Sequence, residues 1–240
     1  AAPSGYTIAK DVAFTVSNDS KVTNKAVMKD QATEVNISKV DITNAEKELP
    51  GATLQVMDKY GNEIVKTVYG EALKWVSGNE AKIIKGLPAG EYTLRETIAP
   101  AGYSIAKDVK FTITDELKAA ETVTMKDAAI EAMISKVDIT NAEKELPGAE
   151  LQIMDTEGKE VVKTIFGEEL KWTSAETAKQ IKGLPAGEYI LRETAAPNGY
   201  TIAKDVKFTV TDELKAAETV VMENAPIEVN ISKTDITTDK

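Results

Sequence analysis

The sequence contains neither cysteine nor histidine. Without them there are no disulfides, no zinc sites of thiolate and imidazole, no Ser–His or Cys–His nucleophile pairs and no imidazole proton shuttle, so most hydrolase chemistry falls away. Aromatic residues are sparse, at 5%, and no apolar run is long enough to span a bilayer. Positive charge is in deficit: 29 Lys and Arg stand against 39 Asp and Glu, and the net charge of −10 repels phosphate backbones and anionic lipid. Nucleic-acid partners and membrane insertion are therefore not expected, and no cofactor is implied. The opening residues, Ala1 to Tyr6, have neither the basic start nor the apolar stretch of a signal peptide, so the expectation is a piece of a longer chain. Absence of cysteine fits a reducing compartment, or equally an exported protein stabilised by another covalent device.

What is present is a repeat. Hydrophobic content of 42% and charged content of 28% are those of a soluble globular protein, and the 240 residues are not uniform along their length. The string ISKVDITNAEKELPGA runs from Ile37 to Ala52 and recurs unchanged from Ile134 to Ala149, a shift of 97; ISKTDIT begins again at Ile231. KGLPAGEY starts at Lys85 and Lys182, LRET at Leu94 and Leu191, and TDELKAAETV at Thr114 and Thr211. GYTIAKDVAFTV at Gly5 matches the segments beginning at Gly102 and Gly199. Residues 1–32 thus read as the C-terminal part of a preceding repeat, 33–129 and 130–226 as two whole repeats, and 227–240 as the first strand of a following one.

Within a repeat, short segments rich in Val, Ile, Thr and Tyr are punctuated by Gly and Pro, the pattern of strands joined by turns. Strands are expected at 34–42, 52–58, 63–69, 80–85, 91–98, 105–114 and 120–127, with equivalents one period later. That number in one period indicates an all-β chain of tandem Ig-like or transthyretin-like β-sandwich modules. Asp115 to Glu121 could add one helical turn, too short to alter the class. The period is also far longer than the roughly 20–50 residues of solenoid repeats.

Side chains alternate faces along a strand, so the apolar positions mark the core face. In the first strand Val35 and Ile37 share that face with Lys39; in the fifth, Tyr92 and Leu94 share it with Glu96; in the last, Val123 and Met125 share it with Asp127. The second repeat places Lys136, Glu193 and Asn224 at the same positions. Taken singly, each could be a strand-end residue just past the core, with its lysine reaching to water. Together they are costly to bury unless paired or neutralised. A buried salt bridge would serve Lys39 and Asp127 but not Lys136 and the uncharged Asn224. Asp and Asn share a side-chain carbonyl carbon. A lysine kept neutral by desolvation is a nucleophile toward it, and a protonated carboxylic acid can polarise it and shuttle protons. The product would be an isopeptide bond.

These residues lie in SKVD with the following LPGA, in GLPAGEYTLRETIAPAGY and in ETVTMKDA, and in those segments the sequence resembles the CnaB-type (SpaA-like, transthyretin-like) domains of Gram-positive adhesins and pilins. The resemblance spans nearly all of each repeat. It implies that Lys39 and Lys136 are donors, Glu96 and Glu193 catalytic acids, and Asp127 and Asn224 acceptors. It also implies an extracellular, cell-wall-anchored surface protein whose partners are neighbouring repeats of the same chain. Asp30 is then an acceptor and Lys233 a donor without the rest of its set in this chain. No sortase signal is visible, since LPGAT at Leu49 and LPAGE at Leu87 have the wrong order.

The function expected is a structural stalk, because near-identical successive repeats suit a spacer. The alternative is a module binding a host matrix protein or another surface subunit, for which Tyr69 to Asn79 and the stretch around Trp172 offer loop aromatics; the same tryptophans could instead cap the cores. An enzyme acting on outside substrates has little beyond the acidic turn at Glu46 and Glu48 in its favour. Asp41, Asn44 and Glu46 could supply oxygen ligands to calcium, but their spacing matches no loop motif.

Overall fold

The computed structural model of the protein describes residues 1–19 and 25–234. They form two compact units, residues 1–19, 25–129 and 212–214 in one, and residues 130–211 and 215–234 in the other. All regular structure among the described residues is β-strand.

In the first unit the strands are β1 (Glu34–Asp41), β2 (Asn44–Glu48), β3 (Thr53–Asp58), β4 (Lys74–Val76), β5 (Lys82–Lys85), β6 (Gly90–Ile98), β7 (Val109–Ile113) and β8 (Glu121–Asp127). They make two four-stranded sheets. One has the order β4-β3-β6-β7 and is antiparallel throughout. In the other, β1 is central. One edge of β1 runs parallel to β8 from Val35↔Glu121 to Asp41↔Asp127. The opposite edge is shared end to end, β5 taking Glu34 to Ile37 and β2 taking Val40 and Asp41. Apolar residues alternate along β8 and β6, and their inward members Leu94, Val123 and Met125 meet Val35, Ile37, Leu54, Val56 and Ile84 between the sheets.

The second unit repeats this plan. Its strands are β9 (Glu131–Asp138), β10 (Asn141–Glu145), β11 (Glu150–Met154), β12 (Lys171–Thr173), β13 (Lys179–Lys182), β14 (Gly187–Ala195), β15 (Val206–Val210) and β16 (Glu218–Asn224). The sheets are β12-β11-β14-β15 and one centred on β9, which pairs with β10, β13 and, in parallel, β16.

Three expectations are corrected. The 63–69 segment is not a ladder strand. It makes isolated bridges at Met57↔Glu63 and Lys66↔Ala72, because its amides and carbonyls bond by turns to Val56 and Leu73. The two hairpin strands β2 and β4 replace it in the count. Asp115 to Glu121 forms no helical turn; Lys118 pairs with Glu121 over an irregular link to β8. The strand expected from 105 starts only at Val109, because the preceding backbone serves a side chain in the core.

Residues 5–7 and 31–33 pack on the first sandwich. Thr33 donates its amide to the Gly5 carbonyl at 3.0 Å and its hydroxyl to the Leu87 carbonyl at 2.6 Å, while Tyr6 meets Tyr69 edge-on with ring centroids 5.8 Å apart. Gly5 has φ of 81°, and a Cβ there would come within 2.6 Å of Val68, so this turn favours glycine on both counts.

Candidate functional site

Each sandwich core contains one cation and its partners. Lys39 is 1% exposed, Glu96 4% and Asp127 0%, in the midst of Ile37, Leu54, Leu94 and Met125. The strand pairing brings them together. β1 and β8 are parallel with Lys39 opposite Met125, so Asp127 projects two residues further on along the same face. Glu96 reaches the site from β6 in the facing sheet, where it stands opposite Leu54.

Lys39 Nζ donates a hydrogen bond to Asp127 Oδ1 and lies 2.8 Å from Glu96 Oε1. Glu96 is fixed at its other oxygen, which accepts the Ala106 amide at 2.6 Å, and this bond takes the place of strand pairing before Val109. Asp127 Oδ2 is buried without a hydrogen-bond partner. Burial pushes the Asp127 carboxyl up to about 7. Lys39 opposes that rise through its hydrogen bond and charge, and Glu96 adds to it.

The second site has the same frame and a different proton inventory. Lys136 is 1% exposed, Glu193 4% and Asn224 0%. Lys136 Nζ donates to Asn224 Oδ1. Asn224 Nδ2 donates to Glu193 at 3.0 and 3.1 Å, and Glu193 Oε2 accepts the Ala203 amide at 2.6 Å. Lys136 stands 3.7 Å from Glu193. Burial holds the Lys136 ammonium below its ordinary range, with the charge of Glu193 opposing.

Chemically, each site presents an amine, a carbonyl carbon and a carboxyl in mutual contact away from water. The apolar walls disfavour charge, which is the cause of the raised Asp127 carboxyl in the first site and of the lowered Lys136 ammonium in the second. The three inward residues expected in each repeat are therefore brought together. Asp30 and Lys233 are not: both are exposed, and neither lies in a strand.

One participant was misread from the sequence. Glu48 belongs to no solvated acidic turn: its carboxylate accepts the Ser38 hydroxyl at 2.6 Å and the Lys39 amide at 2.8 Å. Glu145 does the same for Ser135 and Lys136 at 2.5 and 2.8 Å. Its signal was the identical position in both copies of KELPGA, four residues before the buried alanine, Ala52 or Ala149, that precedes β3 or β11. Asp41 is engaged internally, accepting from Thr43 through Oδ1 and from the Tyr103 hydroxyl through Oδ2, while Glu46 is exposed. Among the described residues no cluster of three or more acidic side chains could hold a metal ion. Trp75 and Trp172 are half-buried against their cores rather than presented as loop anchors.

The profile of the SpaA family, described as a prealbumin-like fold domain, matches residues 33–129 and again 131–226. Among solved structures, the Bacillus anthracis TIE protein is 25% identical with a TM-score of 0.50, over 94% of this chain and 40% of that one. A streptococcal ancillary pilin is 21% identical over 89% of this chain and 69% of its own, with a TM-score of 0.38. The shaft pilin SpaA of Lactobacillus rhamnosus GG is 15% identical over 83% and 99%, with a TM-score of 0.36. The chain thus spans less than half the length of the TIE protein. No curated protein matches.

Proposed function

This chain belongs to the SpaA family of prealbumin-like fold domains, and from that premise we propose that it is a length of stalk or pilus on a Gram-positive surface, each module locked by an isopeptide bond it forms itself. The observation that carries this is the buried contact of Lys39 with Glu96 and Asp127, repeated as Lys136 with Glu193 and Asn224. Lys39 and Lys136 are the nucleophiles, Asp127 and Asn224 the acceptors, and Glu96 and Glu193 the groups that move the proton. In the first module neutral Lys39 Nζ attacks the Asp127 carbonyl carbon. A C–N bond forms, a C–O bond breaks, and the amine proton leaves with the hydroxyl as water by way of Glu96. In the second, Glu193 carries the proton to the departing Asn224 nitrogen, and ammonia leaves.

A lysine buried in an apolar core is expensive even beside a carboxylate, and the same burial makes the amide product, which is neutral, the better occupant of the core. Support for a structural role comes from membership of the family and from pairs of near-identical modules. No helix among the described residues is long and apolar enough to cross a membrane, and anchoring to the wall is the further part of the proposal. Residues 1–32 are taken as the end of one repeat and 227–240 as the start of another, with neighbouring repeats as the partners. A module that grips a host matrix protein is less well supported, since Trp75 and Trp172 are half-buried against their cores.

Intact mass tests the chemistry. The purified chain is expected to weigh about 35 Da less than its sequence, one water and one ammonia, because each condensation expels its leaving group. An unchanged mass would remove the proposal.

A further inference from the structure

The hairpin of β1 and β2 sets a carboxylate against the backbone of the donor lysine in both modules. β1 needs a partner along the edge away from β8. There β5 ends at Ile37 and β2 begins to pair only at Val40, so Ser38 and Lys39 fall in the gap between two partner strands. Inside a sandwich such a gap would leave backbone groups of a 1% exposed residue unpaired, which is costly. The gap is closed from one side. Glu48 accepts the Lys39 amide at 2.8 Å, and the next residue, Leu49, donates its own amide to the Lys39 carbonyl at 2.6 Å. The Ser38 hydroxyl holds the free oxygen of the same carboxylate at 2.6 Å. To deliver the carboxylate there, the hairpin breaks register between Val40 and Asp41, pairing Val40 with Glu48 but Asp41 with Asn44. In the second module Glu145, Ser135, Lys136 and Leu146 reproduce the set with the same Lys136 amide distance of 2.8 Å and the same carbonyl distance of 2.6 Å.

A strand could have been paired here by ordinary backbone bonds. A side-chain carboxylate instead holds the Lys39 amide and the neighbouring Ser38 hydroxyl at the strand edge. The position of the lysine Cα, and with it the line from Nζ to the acceptor carbonyl, is thereby set by β8 on one side and by one carboxylate on the other.

We propose that Glu48 and Glu145 are positioning residues for isopeptide formation, holding the donor lysine's peptide so that its amine meets the acceptor carbon at attacking distance. This rests on the isopeptide chemistry proposed above. Loss of orientation of this kind slows a reaction between groups that are otherwise intact, by about tenfold to a hundredfold for a displacement near 1 Å.

The test is a time course on the full chain made by cell-free translation, digested with trypsin and followed by mass spectrometry for two branched peptides, Lys39–Asp127 and Lys136–Asn224. The second branch is the internal clock for the first. Glu48→Gln keeps an acceptor for the Lys39 amide and can donate to the Ser38 oxygen, so its first branch should form within about twofold of the parent rate. Glu48→Asp keeps the charge but falls one methylene short, and its first branch should slow by about tenfold or more relative to the clock. Glu145→Asp should reverse the pattern. The runs are made well below the melting temperature of each variant, measured on a Glu96→Ala background where no bond forms, so that a lower stability alone does not slow the branch. If Asp and Gln react at the parent rate, or if Gln slows the branch and Asp does not, the positioning role is overturned and charge or mere packing replaces it. If the parent chain yields no branch at all, the isopeptide chemistry itself fails, a result separate from either.

Discussion

The two modules differ at one position of the site, and the hydrogen bonds around it rearrange accordingly. Asn224 brings two protons of its own, gives them to Glu193, and leaves Lys136 3.7 Å from that carboxylate. Asp127 brings none. Its Oδ2 faces the site unpartnered, and Lys39 closes to 2.8 Å on Glu96. The same frame, built as β1, β6 and β8 or as β9, β14 and β16, thus holds either an amide that donates to its acid or a carboxyl that leaves its second oxygen unpartnered. What is common to both is the amine on a carbonyl oxygen and the acid fixed by a backbone amide, of Ala106 or Ala203. The acceptor's leaving group is therefore the variable part, and the donor and the acid are the constant ones.

The largest expected difference between a locked and an unlocked module is mechanical. β1 and β8 are parallel neighbours, so the chain enters at one end of the pair and leaves at the other, and a bond from Lys39 to Asp127 carries tension directly between them. Without it the 88-residue separation between them is free to unravel, adding about 300 Å before its folded span is subtracted. Single-molecule pulling on the whole chain should show no long step in the parent and one in Glu96→Ala. Long steps in a chain whose mass shows both bonds would contradict this load path.

Next in size is stability. If an isopeptide acts on the unfolded chain as a disulfide does, a loop of this length is worth about 4–5 kcal/mol. Glu96→Ala should lower the denaturant midpoint of the first module and leave the second where it was, with Glu193→Ala doing the converse. Equal loss in both modules from either change would mean that the two sites are not independent.

The repeat was legible because whole strings recur unchanged, and the strand class and the three inward residues because each rests on a period of two. Lys39, Glu96 and Asp127 share faces with Ile37, Leu94 and Met125, and a charge in an apolar alternation is visible without coordinates. What was not legible depends on which backbone groups lack a ladder partner. The 63–69 segment has the composition of a strand, yet its bonds are divided between Val56 and Leu73. Glu48 has the composition of a solvated turn, yet it fills the gap between β5 and β2, and that gap follows from strand pairing rather than from any local pattern. Likewise the stretch from 105 alternates like a strand while the Ala106 amide is committed to Glu96.

A smaller effect separates the unlocked modules by pH. In Glu96→Ala the carboxyl of Asp127 stays buried, and burial is the main cause of its rise from 3.8 to about 7. A raised acid favours the folded state below its unfolded value, and that contribution disappears as pH climbs through the folded one. The first module should therefore lose stability as pH climbs above the ordinary carboxylate range, over a narrower span than the value of about 7 sets because Glu96 no longer adds to the rise. In Glu193→Ala the main cause of the lowered Lys136 value, burial, also remains, and the Glu193 charge that opposed it is gone. A lowered base favours the folded state above its unfolded value near 10.5, and that contribution is lost as pH falls through the folded one, so the second module should gain stability toward alkaline pH. Denaturation midpoints across pH for the two variants, moving in opposite directions, would establish the contrast; parallel curves would remove it.

The smallest effect is a change that leaves no trace in the product. Asp127→Asn and Asn224→Asp exchange the leaving groups of the two modules, and the amide formed is the same whichever group departs. Each swapped chain should therefore reach the mass of the cross-linked parent, although its unreacted precursor differs from the parent's by about 1 Da, the difference between a carboxyl and an amide. The trace lies in what is released. Uniform 15N labelling of Asn side chains should yield one equivalent of labelled ammonia from the parent, two from Asp127→Asn and none from Asn224→Asp. Rates should differ in the order set by the hydrogen bonds. Asp127→Asn supplies amide protons to Glu96 as Asn224 does to Glu193, while Asn224→Asp leaves a carboxyl whose second oxygen has no donor, as in the first site. The first module carrying Asn should then cross-link with the pH dependence of the second, and the reverse for the other swap. A pH profile that stays with the module and does not follow the acceptor would show that the surrounding core, and not the leaving group, distinguishes the two sites.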